Sequence, residues 1–422
     1  MSICRTKLKM SLLTQTVLIA VLTVGTAWAA EEDGLQVALK LSTSRYPSVQ
    51  AKLAELKSLG FEINAAEAGR YPSLSLQAQA MADNQTQVVA KIQQPIWTGG
   101  RITGGIDLSE KKLDVGRVSL LQVRRQLMED TAATYANLIG ARQRLGAAEI
   151  NVVEHEKLFG LISRRQVGSI ASEADVRLAR SRLTQAETQR EQLKGAVDKS
   201  LSDLSSLTLT PLEGKQPVEE YLLQLPAAEV IIASAENNSP LVQQRLMEVE
   251  IARIEASLRE ADMMPVLSAT LESDVIRTGK YDYLPKETKV GLTLSGNVEG
   301  VGFAGYGRVR AATAMIEAAK GAVETVRSEA IRRAKALVTE RSTYKRVLIS
   351  NDQLVESSQQ TLASFMRQYD VGRKSWVDVL NAQKELADAR QSMELTKSSI
   401  VEISLRLAVM IGQMDKYAGL LP

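Results

Sequence analysis

Apolar residues recur every three or four positions along two long stretches of the chain. Residues 96–210 and 286–421 contain no proline and are rich in Ala, Leu, Glu, Gln, Arg and Lys. Proline costs about 3 kcal/mol inside a helix, whereas these six residue types favour helix, so each stretch is predicted to hold long helices. A helix of about 60 residues would extend about 90 Å, far longer than a globular domain requires.

The clearest periodicity is a heptad in the second stretch, which recurs 203 residues earlier in the chain. Nine of its ten positions are apolar: Val379, Ala382, Leu386, Ala389, Met393, Thr396, Ile400, Ile403, Leu407 and Met410. Eight of ten are apolar in the earlier copy: Val176, Ala179, Leu183, Ala186, Arg190, Leu193, Val197, Ser200, Leu204 and Leu207. A heptad of this length is typical of coiled-coil packing, and its recurrence indicates an internal duplication.

Each heptad is preceded by a Val-Gly pair and then by the motif Ser-x-x-Asp-Val, at residues 167–176 and 371–379. Glycine can adopt the positive φ that ends a helix, and serine can cap the N-terminus of the next one. An acid three residues after the cap can accept a hydrogen bond from the cap amide. The motif therefore predicts two tight reversals between long antiparallel helices, at about 165–175 and about 369–378.

Two pairs of short runs alternate between apolar and polar residues, at about 73–97 and about 265–299. The residues that flank the two pairs also match: Pro72 with Pro265, and Gly100-Arg101 with Gly307-Arg308. Each run has about ten residues, which is the length of a tilted membrane-spanning strand. The pattern predicts two β-hairpins, one in each half of the chain.

Four strands cannot close a membrane barrel, which needs about eight, and an open strand edge cannot face lipid. Three chains would close one barrel of twelve strands, and two chains would also reach the minimum. A soluble four-stranded sheet is the alternative interpretation of the same runs.

The first 29 residues have the features of a secretory signal peptide. Arg5, Lys7 and Lys9 precede an apolar stretch at 17–24, and Ala27-Trp28-Ala29 fits a cleavage site. Cleavage would remove three basic residues and reduce the formal charge from +3 to 0. The charge therefore gives no indication of nucleic-acid binding. No run after residue 30 approaches 18 apolar residues, so no membrane-spanning helix is expected.

The composition also disfavours catalysis. The chain has 422 residues but only one cysteine, Cys4, and one histidine, His155. Zinc ribbons, thiol catalysis and histidine-based triads are therefore not expected, and no phosphate-binding loop or metal-ligand spacing is present. The sequence predicts that the protein is not an enzyme and has no cofactor or metal. No cysteine follows the predicted cut, so no lipid anchor is expected there.

The duplicated strands and helices resemble the TolC family of outer-membrane factors over essentially the whole mature chain. The most specific stretch is residues 371–383, Val-Gly-Arg-Lys-Ser-Trp-Val-Asp-Val-Leu-Asn-Ala-Gln. Tyr71-Pro72 and Trp97-Thr98-Gly99-Gly100-Arg101 are further family-like marks. The expected fold is mainly α with membrane β, as a duplicated coiled-coil tunnel, or α-barrel.

The resemblance implies a trimer, in which each protomer contributes four strands to a twelve-stranded barrel in the outer membrane. This barrel would continue as a twelve-helix tunnel in the periplasm. The resemblance implies a signal peptide at 1–29, a first structural repeat at 30–225 and a second at 226–422. An irregular belt around residues 210–240 would surround the helices.

The resemblance also implies a homotrimeric, passive outer-membrane duct in a Gram-negative cell, with a long periplasmic extension and contacts with outer-membrane lipid. The expected partners are a periplasmic adaptor and an inner-membrane transporter, with the ABC type favoured, and no nucleic acid. The tip sequence is most similar to type I secretion channels that serve large adhesins. Multidrug or small-molecule efflux is the alternative, and a soluble periplasmic coiled-coil scaffold is a further one.

Three positions at the second tip match the constricted tunnel entrance of the family: Lys374, Asp378 and Asn381. Three copies of Asp378 would form an anionic ring, and Lys374 would help to latch the closed tip. Asn381 stands where well-known members often carry an acid, so this chain would have one acidic ring where some relatives have two. Asp378 also suits the helix start, and the two roles are compatible.

The reversals would meet the adaptor tip to tip, and the expected contacts are Val167, Gly168, Val371, Gly372 and Arg373. Turn chemistry alone also explains the glycines. Trp376, beside the second tip, is expected to pack rather than to dock. The pair Arg164-Arg165 is expected on a solvated helix face, because acids lie nearby in the sequence.

Overall fold

The computed structural model describes residues 34–81, 85–278, 287–297 and 299–420. The predicted signal peptide lies outside the described residues, as does most of the loop between the two strands of the second hairpin. Among the described residues, no helix combines the length and the apolarity that crossing a membrane requires.

The chain is built from two similar halves that are joined by a short irregular segment. The first half contains, in order, α1 Leu35–Arg45, α2 Pro47–Ala68, β1 Ser73–Met81, β2 Gln85–Trp97, α3 Arg101–Val167 and α4 Glu173–Thr208. The joining segment carries α5 Glu220–Leu223 and α6 Ala228–Asn237. The second half contains α7 Pro240–Ala261, β3 Val266–Thr278, β4 Thr288–Ser295, α8 Phe303–Asp370, α9 Trp376–Met410 and α10 Met414–Tyr417.

The long helices predicted from the proline-free stretches are confirmed, since α3 has 67 residues and α8 has 68. The helix that precedes each hairpin, α2 or α7, begins with a proline at its first position, Pro47 or Pro240. Proline suits this position because its fixed φ is helical and the amide hydrogen that it lacks would have no partner there. The same sequence of helix, hairpin and two long helices therefore occurs in both halves.

The four strands form one antiparallel sheet in the order β1-β2-β3-β4, so the two hairpins pair through β2 and β3. Cross-strand partners lie on the same face of a sheet, and this register separates apolar from polar residues. One row across the sheet is Leu74, Ile92, Leu271 and Val290, and the adjacent row on the other face is Ser75, Lys91, Glu272 and Lys289. The sheet is therefore amphipathic, and its apolar face is exposed on the single chain.

Two details of the second half differ from the sequence prediction. Strand β4 ends at Ser295, and a short 3-10 turn at Glu299–Gly302 leads into α8. The residue before α8 is Gly302, with φ 90°, and its counterpart before α3 is Gly100, with φ 92°. The match of Gly100 with Gly307 was therefore wrong, because Gly307 lies inside α8. Both α3 and α8 are preceded by a residue with positive φ, a conformation that glycine adopts without strain. The sequence alignment instead paired the glycines that stand before Arg101 and Arg308.

The main hydrophobic core lies where the joining segment meets the long helices. Tyr135 of α3 is fully buried there, and its hydroxyl donates a hydrogen bond of 2.7 Å to the carbonyl of Gln216. Arg125 of α3 forms an ion pair of 2.6 Å with Asp415 of α10, which fixes the end of the chain to the same region. The belt expected around residues 210–240 corresponds to this joining segment.

Candidate functional site

The connection between α3 and α4, here called tip 1, begins with a Schellman motif. The amide of Ile170 donates to the carbonyl of Arg165, and the amide of Ser169 donates to that of Gln166, both at 2.9 Å. These two bonds satisfy carbonyl groups that the helix end would otherwise leave unpaired. Ser169 adopts the left-handed conformation that this motif requires, with φ 58°.

The connection between α8 and α9, here called tip 2, has the same bonding pattern. The amide of Arg373 donates to the carbonyl of Gln368 at 2.8 Å, and the amide of Gly372 donates to that of Tyr369 at 3.0 Å. Here the left-handed residue is Gly372, with φ 72°.

The two tips are therefore equivalent, but not through their Val-Gly pairs. Ser169 corresponds to Gly372 at the same 203-residue offset as the heptads, and Gly168 corresponds to Val371. Gly168 has φ −78°, which any residue can adopt. The prediction that Gly168 supplies the positive φ of tip 1 was wrong, because the turn places its left-handed residue one position later.

The helix starts agree with the sequence prediction. The amide of Asp175 donates to the Ser172 side chain at 3.1 Å, and the amide of Asp378 donates to the Ser375 side chain at 3.2 Å. Each aspartate accepts a hydrogen bond from the serine amide in return, so both helices begin with a capping box. Asp378 is therefore confirmed as a helix-start residue.

Hydrogen bonds define the protonation of Asp378. Its carboxylate accepts a hydrogen bond from the Ser375 hydroxyl at 2.8 Å and another from the Ser375 amide at 3.1 Å. These two bonds, in that order, lower the pKa of Asp378, and the nearby positive charge of Lys374 lowers it further. The carboxylate is consequently held in its charged form.

The structure brings the three predicted entrance residues together at the start of α9, within seven positions of each other. The ammonium of Lys374 lies 4.3 Å from the centre of the Phe365 ring on α8. The side-chain oxygen of Asn381 accepts a hydrogen bond from Arg182 of α4 at 3.3 Å. Lys374 thus contacts α8, the other long helix of its own half, whereas Asn381 contacts α4 of the first half.

Sequence reasoning missed the contact that joins the two tips. A guanidinium nitrogen of Arg165 lies 2.6 Å from a carboxylate oxygen of Asp370. The central carbon of the same guanidinium lies 4.7 Å from the centre of the Tyr369 ring. The Tyr369 ring in turn lies 5.0 Å from that of Trp376. Arg165 was expected on a solvated face, but its partner is 205 residues away and no local pattern identifies it.

A common hydrophobic cluster lies behind this contact. Its buried members come from α3, α4 and α9: Leu158, Ile162, Ala179, Trp376, Val379 and Leu380. Trp376 is only 2% exposed, so the prediction that it packs rather than docks is confirmed. The two tips therefore form one packed end of the protomer.

The residues predicted to contact an adaptor lie on the outer surface of this end. Val167 is 83% exposed and Val371 is 68% exposed, and Gly168, Gly372 and Arg373 are also exposed. Ile170, which the sequence analysis did not select, is 78% exposed. Branched apolar side chains that water surrounds in this way are a common feature of protein-binding surfaces.

Solved structures of membrane proteins share this fold. The fold matches a membrane protein from Pseudomonas aeruginosa with a TM-score of 0.76 and 17% identity, over 91% of this chain and 94% of that one. It matches CusC with a TM-score of 0.78 and 13% identity, over 90% of this chain and 92% of that one. At this level of identity the likeness concerns the fold alone.

Sequence comparison gives the family. Outer membrane protein TolC of Salmonella enteritidis is 23% identical over 433 residues, covering 95% of this chain and 86% of that protein. The profile of the family described as "Outer membrane efflux protein" matches residues 38–208 and 231–413, which is most of the chain. The chain therefore belongs to the outer membrane efflux protein family, whose members are the outer-membrane channels of tripartite efflux systems.

Proposed function

We propose that three copies of this chain form one export channel with a twelve-stranded barrel in the outer membrane. The observation that carries this proposal is the amphipathic four-stranded sheet, whose apolar face is exposed and whose outer strands, β1 and β4, pair on one side only among the described residues. Joining β1 of one copy to β4 of the next removes these edges and turns the apolar face to lipid.

The family gives the cellular setting. Its channels lie in the outer membrane of Gram-negative bacteria, extend into the periplasm as a helical tunnel and work with adaptor proteins and inner-membrane transporters. A soluble periplasmic scaffold is therefore no longer an alternative. For this chain we propose a signal peptide at 1–29 and structural repeats at 30–225 and 226–422.

Pairing between copies can be tested with cysteines, because the only natural cysteine is Cys4. Within one sheet, β1 and β4 are three strand spacings apart, about 14 Å, so a disulfide between them can form only between copies. Gln77→Cys combined in turn with Lys289→Cys, Gly291→Cys and Thr293→Cys covers three registers. One combination is expected to give covalent trimers under oxidation, whereas each single variant gives none. Covalent dimers alone would contradict the trimer.

The tips provide the remaining parts of the proposal. Lys374, Asp378 and Asn381 would surround the tunnel entrance, and Val167, Gly168, Val371, Gly372 and Arg373 would contact the adaptor. The support is their position, since all eight lie at the helical end opposite the sheet, and the exposed valines have no other evident role.

The cargo proposed for this channel is a large adhesin-type protein, exported by type I secretion with an ABC transporter. The support is the likeness of residues 371–383 to channels of that class. Small-molecule efflux is the alternative, favoured by the family description. Deleting the gene is expected to remove a large surface or secreted protein while drug susceptibility changes little. The opposite phenotype would establish efflux.

A further inference from the structure

The single histidine of the chain is buried in the helical part of the protein, on the face of α3 that packs against α4 and α9. His155 is 4% exposed, and among the described residues its Nδ1 atom has no hydrogen-bond partner. Its neighbours on the same face of α3 are Asn151, which accepts a hydrogen bond of 3.2 Å from Gln383 of α9, and Leu158 of the tip cluster.

The positive charge that acts on this imidazole is Arg182 of α4. One terminal nitrogen of Arg182 donates to Gln185 at 3.1 Å, and the other donates to Asn381 of α9 at 3.3 Å. Arg182 therefore links the α4 helix to a predicted entrance residue. Leu158, one turn from His155 on α3, packs in one cluster with Ala179 of α4 and Val379 of α9, which places His155 at the same level of these three helices. The electrostatic connection runs from α3 through α4 to α9.

The surroundings of His155 favour its neutral form over its charged form. Burial lowers its pKa below the usual 6.5, and Arg182 lowers the pKa further, while Glu154 of α3 raises it by a smaller amount. At this level α9 presents Val379, Leu380 and Gln383, none of which is charged. The charged residues of α9 closest to these along the chain are Asp378, whose carboxylate accepts hydrogen bonds from Ser375, and the exposed Lys384 and Glu385. On α4, the guanidinium of Arg180 lies 5.1 Å from the centre of the Phe159 ring. The imidazole is therefore neutral at pH 7.

We propose that His155 and Arg182 form a proton-sensitive brace, in which protonation of the imidazole repels Arg182, weakens its bond to Asn381 and loosens the start of α9. The proton comes from water and binds the unpartnered ring nitrogen. A histidine whose pKa is lower in the folded than in the unfolded state stabilises the fold fully above pH 6.5 and loses that contribution as the pH falls. The brace is thus tight at neutral pH and loose in acid.

Hydrogen exchange of the detergent-solubilised full chain tests this proposal without reference to transport. Protection factors, corrected for intrinsic exchange rates, are compared between pH 7.5 and 5.5 for the amides of residues 379–386. They are expected to fall about three- to tenfold in the wild type, since one pKa unit corresponds to a tenfold change in an equilibrium. In His155→Gln, which has no titratable group, they should change by less than about twofold. An equal response in the two proteins would overturn the proposal.

A second pair of variants keeps the test valid if His155→Gln fails to fold. Glu154→Gln removes the one acid that raises the pKa of His155, so the midpoint of the loosening should move to lower pH. Glu156→Gln, at an exposed position next to His155, is the matched control and should leave the midpoint in place. A midpoint that does not move in Glu154→Gln would assign the pH response to another group. If cysteine cross-linking fails while these shifts appear, the trimer is wrong and the brace stands.

Discussion

Ser169 and Gly372 occupy the same position in the two tips, where each is the left-handed residue that ends a long helix, with φ of 58° and 72°. A side chain in this conformation costs about 1–2 kcal/mol, which glycine avoids. Tip 1 therefore carries strain that tip 2 does not. The two duplicated turns have the same backbone path and differ in the local stability of that path.

Placing glycine at position 169 and a residue with a side chain at position 372 should reverse the difference in local stability between the two tips. Ser169→Gly is expected to stabilise tip 1 by about 1 kcal/mol, and Gly372→Ala to destabilise tip 2 by a similar amount. Within the described part of the chain, no heavy atom lies within 4 Å of a Cβ placed on Gly372, so the expected cost is strain in φ. The measurement is the free energy of local opening, from hydrogen exchange at each tip. Gly168→Ala, at a position with negative φ, is the control and should change it by less than about 0.5 kcal/mol.

Two substitutions of Asp378 should separate its roles in the helix cap and in the proposed entrance. Asp378→Asn keeps an oxygen that can accept the hydrogen bond from the Ser375 amide but removes the charge, so the tip should stay folded while cation preference falls. Asp378→Ala also removes the carboxylate that accepts from the Ser375 amide, one half of the capping box, and should destabilise the start of α9. Single-channel recordings in salt gradients measure the first effect, and hydrogen exchange measures the second. Unchanged cation preference in both variants would remove Asp378 from the entrance.

The pH dependence of the Asp378 cap follows from its lowered pKa. A carboxyl whose pKa is lower in the folded state stabilises the fold above the unfolded value, here 3.8, and loses that contribution as the pH falls through the folded value. The hydrogen bonds from Ser375 to the Asp378 carboxylate are therefore expected to persist down to about pH 4, as measured by exchange of the Ser375 amide. Loosening of α9 between pH 7 and 5 would have to come from another group, which separates this effect from that of His155.

The contact of Arg165 with Asp370 and Tyr369 should hold the ends of α3 and α8 together. The ion pair with Asp370 is partly exposed and is worth less than about 1 kcal/mol by itself, whereas stacking on Tyr369 adds a second interaction. Arg165→Ala is therefore expected to increase exchange at the ends of both α3 and α8 more than Asp370→Asn does. Arg164→Ala, next to it and exposed, is the control. Equal effects of Arg164→Ala and Arg165→Ala would mean that the contact does not couple the tips.

If the adaptor docks at the tips, replacing Val167 or Val371 by aspartate should weaken adaptor binding more than replacing it by alanine. Val167→Asp and Val371→Asp place a hydrated carboxylate where an apolar contact is proposed, so adaptor binding should weaken at least tenfold, or about 1.4 kcal/mol. Val167→Ala and Val371→Ala should weaken it less, because they lose area without burying a charge. The measurement is adaptor affinity by surface plasmon resonance, with trimer formation checked in each variant. Full affinity in both aspartate variants would place the adaptor elsewhere.

Close approach of α3 and α9 depends on a glycine. A Cβ on Gly140 would overlap the Ser398 side chain, so Gly140→Ala should force the helices apart and destabilise the protein by about 1–3 kcal/mol. Gly146→Ala, on the same helix, would place a Cβ that no described residue approaches within 4 Å, and it should be neutral or stabilising by up to about 1 kcal/mol because alanine favours helix. The midpoint of thermal unfolding in one detergent gives both changes, and similar midpoints would contradict the packing argument.

The sequence by itself determined the features that depend on neighbours along the chain. The long helices follow from proline-free runs of helix-favouring residues, and the two capping boxes follow from Ser and Asp three positions apart. The strand pairs follow from the alternation of apolar and polar residues, although β4 ends at Ser295, before the predicted limit of about 299. These features are set by local backbone preferences and short-range hydrogen bonds, which the order of residues specifies directly.

Only the tertiary structure decided which residues meet across the two halves. The pairing of β2 with β3, the ion pair of Arg165 with Asp370 and the hydrogen bond from Arg182 to Asn381 join residues that are distant in sequence. The left-handed position of tip 1 falls on Ser169 rather than on Gly168, because the path of the turn between packed helices selects it. Contacts of this kind depend on how whole helices pack, and the free energy of that packing is shared among many residues, so no short motif records it.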